Sequence, residues 1–331
     1  MSVATASVID VHAHYVPLGL RAYLRGEGRA SGLSVVEDGA RTAIRLDDRM
    51  VTRFLDERLW DLDDRVGRMD RAGVDVQVLS LWTDLVAQGL PPGVASALND
   101  LIAADVAAMP DRFVGLANIP IRAPQIAATE LARAVQDLNL VGVEIAACLE
   151  GPDLGDPALE PLWDVAEDLR CLVLLHPAGG LAQRLDDPRL DVLVGRPAET
   201  TIVVTRLILS GVLERHPDLN VCVVHGGGFL PYQIGRLERS HLLLREAGHA
   251  ENPRPALRGL YYDTVLNSPA ALRFLIDQVG SERVLLGSDD PFEVGDPTPR
   301  ATIEAIPGLT TRERHALFAG NARRLFEGIV A

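Results

Sequence analysis

Ser7-Val8-Ile9-Asp10-Val11-His12-Ala13-His14 is the stretch on which the reading of this chain turns. It is a run rich in strand-forming residues that ends in two histidines at i and i+2. Side chains alternate faces along a strand, so His12 and His14 point one way while Val11 and Ala13 point the other. Neutral imidazole is the commonest nitrogen ligand of divalent metals, and two of them at a strand end make half a binding site. Whether they bind anything depends on how the later strands end.

Beyond a glycine- and arginine-rich stretch from Tyr15 to Trp60, apolar strands alternate with amphipathic helices. Strands are expected at 74–80, 113–119, 141–146, 171–175, 220–224, 260–266 and 284–287. Helices are expected at 61–72, 94–109, 125–138, 159–169, 199–215, 230–246, 270–278 and 311–326. With the opening strand this gives eight strands in 331 residues, the pattern of a parallel sheet covered on both faces. The expected fold is α/β, a (β/α)8 TIM barrel forming a single domain over 1–331. Residues 15–60 are a small insertion after the first strand, placed over the barrel mouth. Inside it, Leu33–Glu37 and Arg41–Arg45 flank Asp38-Gly39 as a hairpin. A doubly wound open sheet is the alternative, and no Gly-x-Gly-x-x-Gly follows the first strand to support its dinucleotide-binding form.

Composition narrows the chemistry. The chain is 47% hydrophobic and carries a formal charge of −14 without any basic run, which argues against nucleic acid or an anionic membrane as partner. All 32 cationic side chains are arginine. That excludes a Schiff-base lysine, a P-loop lysine and a lysine carbamate between two metals. Cys148, Cys171 and Cys222 lie in or beside apolar runs without Cys-x-x-Cys spacing, and are expected as free thiols in a reducing compartment. With no signal-like start and no apolar run near the roughly 20 residues that span a bilayer, a cytoplasmic protein is expected.

Barrel chemistry sits where strands end, at the C-terminal face. Those positions hold His12 and His14, then His176-Pro177, then His225-Gly226-Gly227-Gly228, and last Ser288-Asp289-Asp290. His216, His241, His249 and His315 fall on helices or loops and are expected on the surface. Three histidines and a carboxylate make a zinc-type ligand set with room for water, and a further histidine supplies proton transfer near neutral pH. The strand ends offer one group more than a tetrahedral site needs. Spacing alone leaves open which histidine moves protons.

In order and wording, Ile9-Asp-Val-His-Ala-His14, Leu175-His-Pro177, Val224-His-Gly-Gly-Gly228 and Leu286-Gly-Ser-Asp289 resemble the amidohydrolase superfamily. The branch most similar is that of aminocarboxymuconate semialdehyde decarboxylase, through Pro197-Ala-Glu-Thr200, Leu207-Ile-Leu-Ser-Gly211 and Leu59-Trp-Asp61. The resemblance implies one catalytic Zn2+, or another divalent ion such as Mn2+, on His12, His14, His176 and Asp289, and no organic cofactor. It implies His225 as acid/base beside Asp289. It also implies two arginines, Arg53 and Arg236, that hold a small carboxylic acid substrate, the second reaching across from the other subunit of a homodimer. Asp10 is expected to steady a ligand, and Asp290 to contact substrate or to cap a loop. Where that decarboxylase has a bulky tryptophan after His-Pro, this chain has Ala178-Gly179, and Asp290 replaces a tyrosine. The implied reaction is cofactor-free, non-oxidative decarboxylation of an unsaturated or aromatic acid. Hydrolysis of an amide, ester or lactone, or hydration of a double bond, are the alternatives.

Overall fold

The computed structural model describes residues 3–38, 41–46, 49–50, 52, 54–86, 90–147, 153–179, 181, 185, 187–246, 253–327 and 329. Eight strands form one parallel ring: β1 (Ile9–Tyr15), β5 (Val76–Leu81), β6 (Phe113–Ala117), β7 (Gly142–Ala147), β8 (Leu172–Pro177), β9 (Asn220–Val223), β10 (Tyr261–Asp263) and β11 (Val284–Leu285). Three short strands, β2 (Leu33–Asp38), β3 (Arg41–Leu46) and β4 (Arg49–Met50), intervene as a separate antiparallel sheet. The ring closes between its last and first members, where Val11 N–H donates to Leu286 O at 2.9 Å. A parallel bridge between Ala13 and Asp290 extends that seam. The barrel is therefore closed, and the open-sheet alternative falls away.

Burial explains the strand sequences. One apolar cluster draws Ile9, Val11, Val76, Val78, Leu172 and Leu174 inward and is plugged by Leu325 and Phe326 near the C-terminus. A second joins the outward side chains Val143, Ile145, Val173 and Leu175 to helix residues such as Leu131, Trp163 and Leu207. Strands buried on both faces have no polar side to show, hence their near-continuous Val and Leu. Each fully buried large aliphatic side chain contributes about 1.5–3 kcal/mol.

The helices fall where the periodicity places them, with shifted ends. The one expected at 199–215 starts at Arg196 and stops at Leu209, where a left-handed Gly211 turns the chain into a short helix, Val212–Arg215. The last breaks into Thr311–His315 and Asn321–Phe326 around a wider π-type turn. In the insertion β2 and β3 pair from Leu33↔Leu46 to Asp38↔Arg41, as the hairpin requires; its Gly39 lies outside the described residues. Leu33, Ile44, Leu55 and Leu59 of this segment pack on Leu81, Trp82 and Leu85 at the end of β5. That contact packs the insertion against the end of β5 and the short helix Thr83–Val86 that follows it. Among the described residues no helix is long and apolar enough to cross a membrane.

Candidate metal centre and active site

Four strand ends meet. Nε2 of His12 lies 3.1 Å from Nε2 of His14, which lies 3.1 Å from Nε2 of His176. Asp289 Oδ1 sits 3.5 Å from the first and 3.3 Å from the second. Ligand atoms of these four buried residues all fall within 4.8 Å of one another. Tetrahedral zinc with Zn–N near 2.0–2.1 Å holds its nitrogens roughly 3.3 Å apart, so the spacing suits one ion among them. Among the described residues Asp289 Oδ1 is buried without a hydrogen-bond partner, an acceptor left for a cation. The donor set fits a divalent metal.

Two of the three rings are aimed from behind, while His14 Nδ1 has no hydrogen-bond partner among the described residues. His12 Nδ1 contacts Asp263 Oδ2 at 2.6 Å, and His176 Nδ1 contacts Thr83 Oγ1 at 3.1 Å and Pro177 O at 2.8 Å. These contacts leave Nε2 to the centre, as metal-binding histidines require. Burial drives the His14 imidazole down to about 4 and the His176 imidazole well below its ordinary value, so both stand neutral with lone pairs available. Burial also lowers His12, but the charge of Asp289 and the hydrogen bond with Asp263 outweigh it and lift that ring to about 9. Conversely burial raises Asp289, and the surrounding histidines, His12 first, hold it well below the carboxylate range.

His225 follows β9 with φ of 54°, and Asp289 has φ of 62°. Left-handed backbone is uncommon outside glycine and costs on the order of 1–3 kcal/mol where it is held, and it gathers at functional sites. Here it turns His225 Nε2 to 3.7 Å from Asp289 Oδ2. The chain then needs Gly228, since a Cβ there would stand 2.3 Å from Pro197 O. His225 Nδ1 is buried without a hydrogen-bond partner among the described residues. Together His176, His225 and Asp289 line a cavity of about 550 Å³ that opens at the barrel mouth.

Other expected residues lie elsewhere. Asp10 is fully buried and accepts from Ser288 N at 3.0 Å, Ser288 Oγ at 2.5 Å, Gln77 Nε2 at 2.8 Å and His12 N at 3.1 Å. It thus ties the turn bearing Asp289 to the strand bearing His12. Asp290, expected as a substrate contact or cap, is engaged in ion pairs with Arg65 at 3.0 Å and Arg68 at 2.8 Å. Arg65 is itself buried and also donates to His14 O. Arg236 is exposed on the helix Leu230–Glu246, and Arg53 lies outside the described residues, as do Cys148 and His249. Cys171 and Cys222 are buried free thiols. His216, expected on the surface, is buried against the helix Glu160–Asp168, where Glu160 and Glu167 satisfy both ring nitrogens.

Sequence reasoning passed over Asp263, Thr83, Glu144, Arg58 and Arg196. Asp263 and Glu144 had a signal, an acid inside an otherwise apolar barrel strand. Burial pushes the Glu144 carboxyl up to about 8, and neither of its oxygens has a hydrogen-bond partner among the described residues.

A family model described as amidohydrolase matches residues 9–328. A 2-amino-3-carboxymuconate-6-semialdehyde decarboxylase of Dictyostelium discoideum is 33% identical over 322 residues, covering 95% of this chain and 90% of that protein. A gamma-resorcylate decarboxylase of Rhizobium sp. strain MTP-10005 is 32% identical over 303 residues, covering 82% and 89%. The crystal structure of 5-carboxyvanillate decarboxylase from Sphingomonas paucimobilis superposes with a TM-score of 0.80 at 27% identity, over 97% of this chain and 98% of that one. By sequence, barrel and ligand cluster alike, this chain belongs to the amidohydrolase superfamily, in the branch that includes these decarboxylases.

Proposed function

We propose that the protein is a metal-dependent, non-oxidative decarboxylase of an unsaturated or aromatic carboxylic acid. The observation that carries this is His225, whose ring lines the mouth with Nε2 3.7 Å from Asp289 Oδ2, beside the four-residue ligand cluster. The relatives named above, which act on an unsaturated or an aromatic acid, support the same reading. A divalent cation on His12, His14, His176 and Asp289, zinc by preference, supplies electrophilic stabilisation of charge on a substrate oxygen.

The chain's residues supply the rest. Asp263 and Thr83 fix two ligand rings, and Asp10 steadies the turn before Asp289. His225 delivers a proton to the ring or alkene carbon that bears the carboxylate. The carbon–carbon bond to that carboxylate then breaks, its electron pair restores the double bond, and carbon dioxide leaves. Fixed dipoles and charges around a dry site lower the barrier because they need not reorganise. Arg53 holds the carboxylate from the insertion, which with the barrel makes one domain. Arg236 completes the site of a second copy in a homodimer. Exposed Tyr232 and Phe229 on and beside its helix supply an apolar face for that contact. Buried free thiols suit a reducing cytoplasm.

The test is a panel of 2-amino-3-carboxymuconate-6-semialdehyde, gamma-resorcylate and 5-carboxyvanillate with zinc-loaded protein and a carbon dioxide readout. Gas evolution that chelation abolishes is expected. Hydrated or cleaved product without gas would replace the decarboxylase by a hydratase or hydrolase.

A further inference from the structure

We propose that Arg196 reads a second carboxylate of the substrate, one other than the group that leaves, so that the acid accepted is a planar dicarboxylate. This rests on the decarboxylase reading. Arg196 lines the same cavity as His176, His225 and Asp289 and is largely buried. Its Nη1 donates to Pro177 O at 3.2 Å, which anchors the guanidinium to the residue that follows a metal ligand. Its carboxylate neighbours stand off, with Asp191 Oδ2 3.8 Å from Nε and Asp84 Oδ1 4.0 Å from Nη2. These are ion-pair distances without a hydrogen bond. A guanidinium carries five N–H donors, and among the described residues only the Pro177 carbonyl takes one.

The other arginine on the cavity wall is in a different state. Arg58 grips Asp56 with Nε at 3.0 and 3.1 Å and Nη2 at 2.6 Å, a fork already filled. Arg196 is thus the described arginine at the mouth with its fork open. Local structure keeps it there: a wide π-type turn over Asp191–Gly195 runs directly into the helix Arg196–Leu209 and sets Arg196 on the cavity wall. Val192, Leu193, Val265, Phe292 and Val294 form an apolar wall of the same cavity. A flat carbon skeleton suits that wall, and a chain without lysine has only arginine or backbone N–H groups to meet an anion at its far end.

The experiment is calorimetric titration of zinc-loaded protein with isophthalate and with benzoate, for wild type, R196Q and R196K. Isophthalate should bind wild type about 10- to 100-fold more tightly than benzoate, the worth of one charge-assisted fork. R196Q should erase that ratio and leave benzoate affinity and the melting temperature in place, and R196K should keep part of it. A ratio unchanged in R196Q overturns the proposal. So does equal weakening of both ligands, which marks a structural role. Neither result depends on turnover: carbon dioxide release with an unchanged ratio sinks only the role of Arg196, whereas a ratio erased in R196Q in a protein that decarboxylates nothing sinks only the decarboxylase.

Discussion

Asp263 Oδ2 lies 2.6 Å from Nδ1 of His12, so the acid that ends β10 aims the imidazole of β1 at the ligand cluster. Burial would raise the Asp263 carboxyl, yet the hydrogen bond with His12 wins and holds it below the ordinary carboxylate range. Partners of this kind fix the ring's orientation and raise its basicity. Their loss costs about 10- to 100-fold in metal affinity. D263N should therefore weaken zinc by that factor in competition with a chromophoric chelator. Wild-type affinity in the variant would show that His12 is oriented by packing alone.

Metal loading should be coupled to proton release. Metal-free His12 holds its proton up to about pH 9, while His14 and His176 are already neutral at pH 7. A cation must displace that one proton, so apparent affinity should rise about tenfold per pH unit between pH 6 and 8 and level off above 9. Zinc titrations across that range measure the slope. Affinity independent of pH would mean that His12 is already neutral in the metal-free protein.

His225 should separate binding from chemistry. It stands 3.7 Å from Asp289 yet outside the four-residue ligand cluster. H225N should retain its metal and lower kcat by about 10²- to 10⁴-fold, the usual share of a positioned acid or base. Loss of metal in that variant would make His225 a ligand.

Much of this was legible beforehand because barrel strands are buried on both faces and end at one rim. A strand such as Leu172–Leu175 has no alternative reading, and the histidine that ends it has few places to point. What stayed hidden depends on partners distant in the chain. Nothing near Asp290 announces Arg65 and Arg68, more than 220 positions away, so a neighbour of Asp289 looked like a substrate contact. Arg196 lies ahead of the helix expected at 199–215, and its place on the cavity wall shows only once the π-type turn before it is seen. His216 has both acids on a preceding helix, 49 and 56 residues back.

Asp290 should matter to stability more than to substrate. Arg65 is fully buried, with Asp290 at 3.0 Å, Gln77 Oε1 at 2.8 Å and His14 O at 2.5 Å. Removing one partner of a buried ion pair leaves the other charge uncompensated and costs about 3–5 kcal/mol. D290A should lower the urea midpoint accordingly and weaken zinc as well, since His14 loses its brace. An unchanged midpoint with a raised KM would return Asp290 to the substrate.

His216 gives the fold a pH dependence independent of the metal site. Its ring is buried, with Nδ1 3.0 Å from Glu167 and Nε2 2.9 Å from Glu160. Burial lowers its pKa, but the two carboxylates outweigh burial and the net shift is upward. In the unfolded chain it titrates near 6.5. A group that binds its proton more tightly when folded stabilises the fold fully below about 6.5, and loses that contribution as pH rises through the higher folded value. H216Q should therefore be less stable than wild type at pH 6, with the gap closing toward pH 9 in urea unfolding. A gap that widens with pH would mean the ring sits neutral between its two glutamates, held by hydrogen bonds rather than charge.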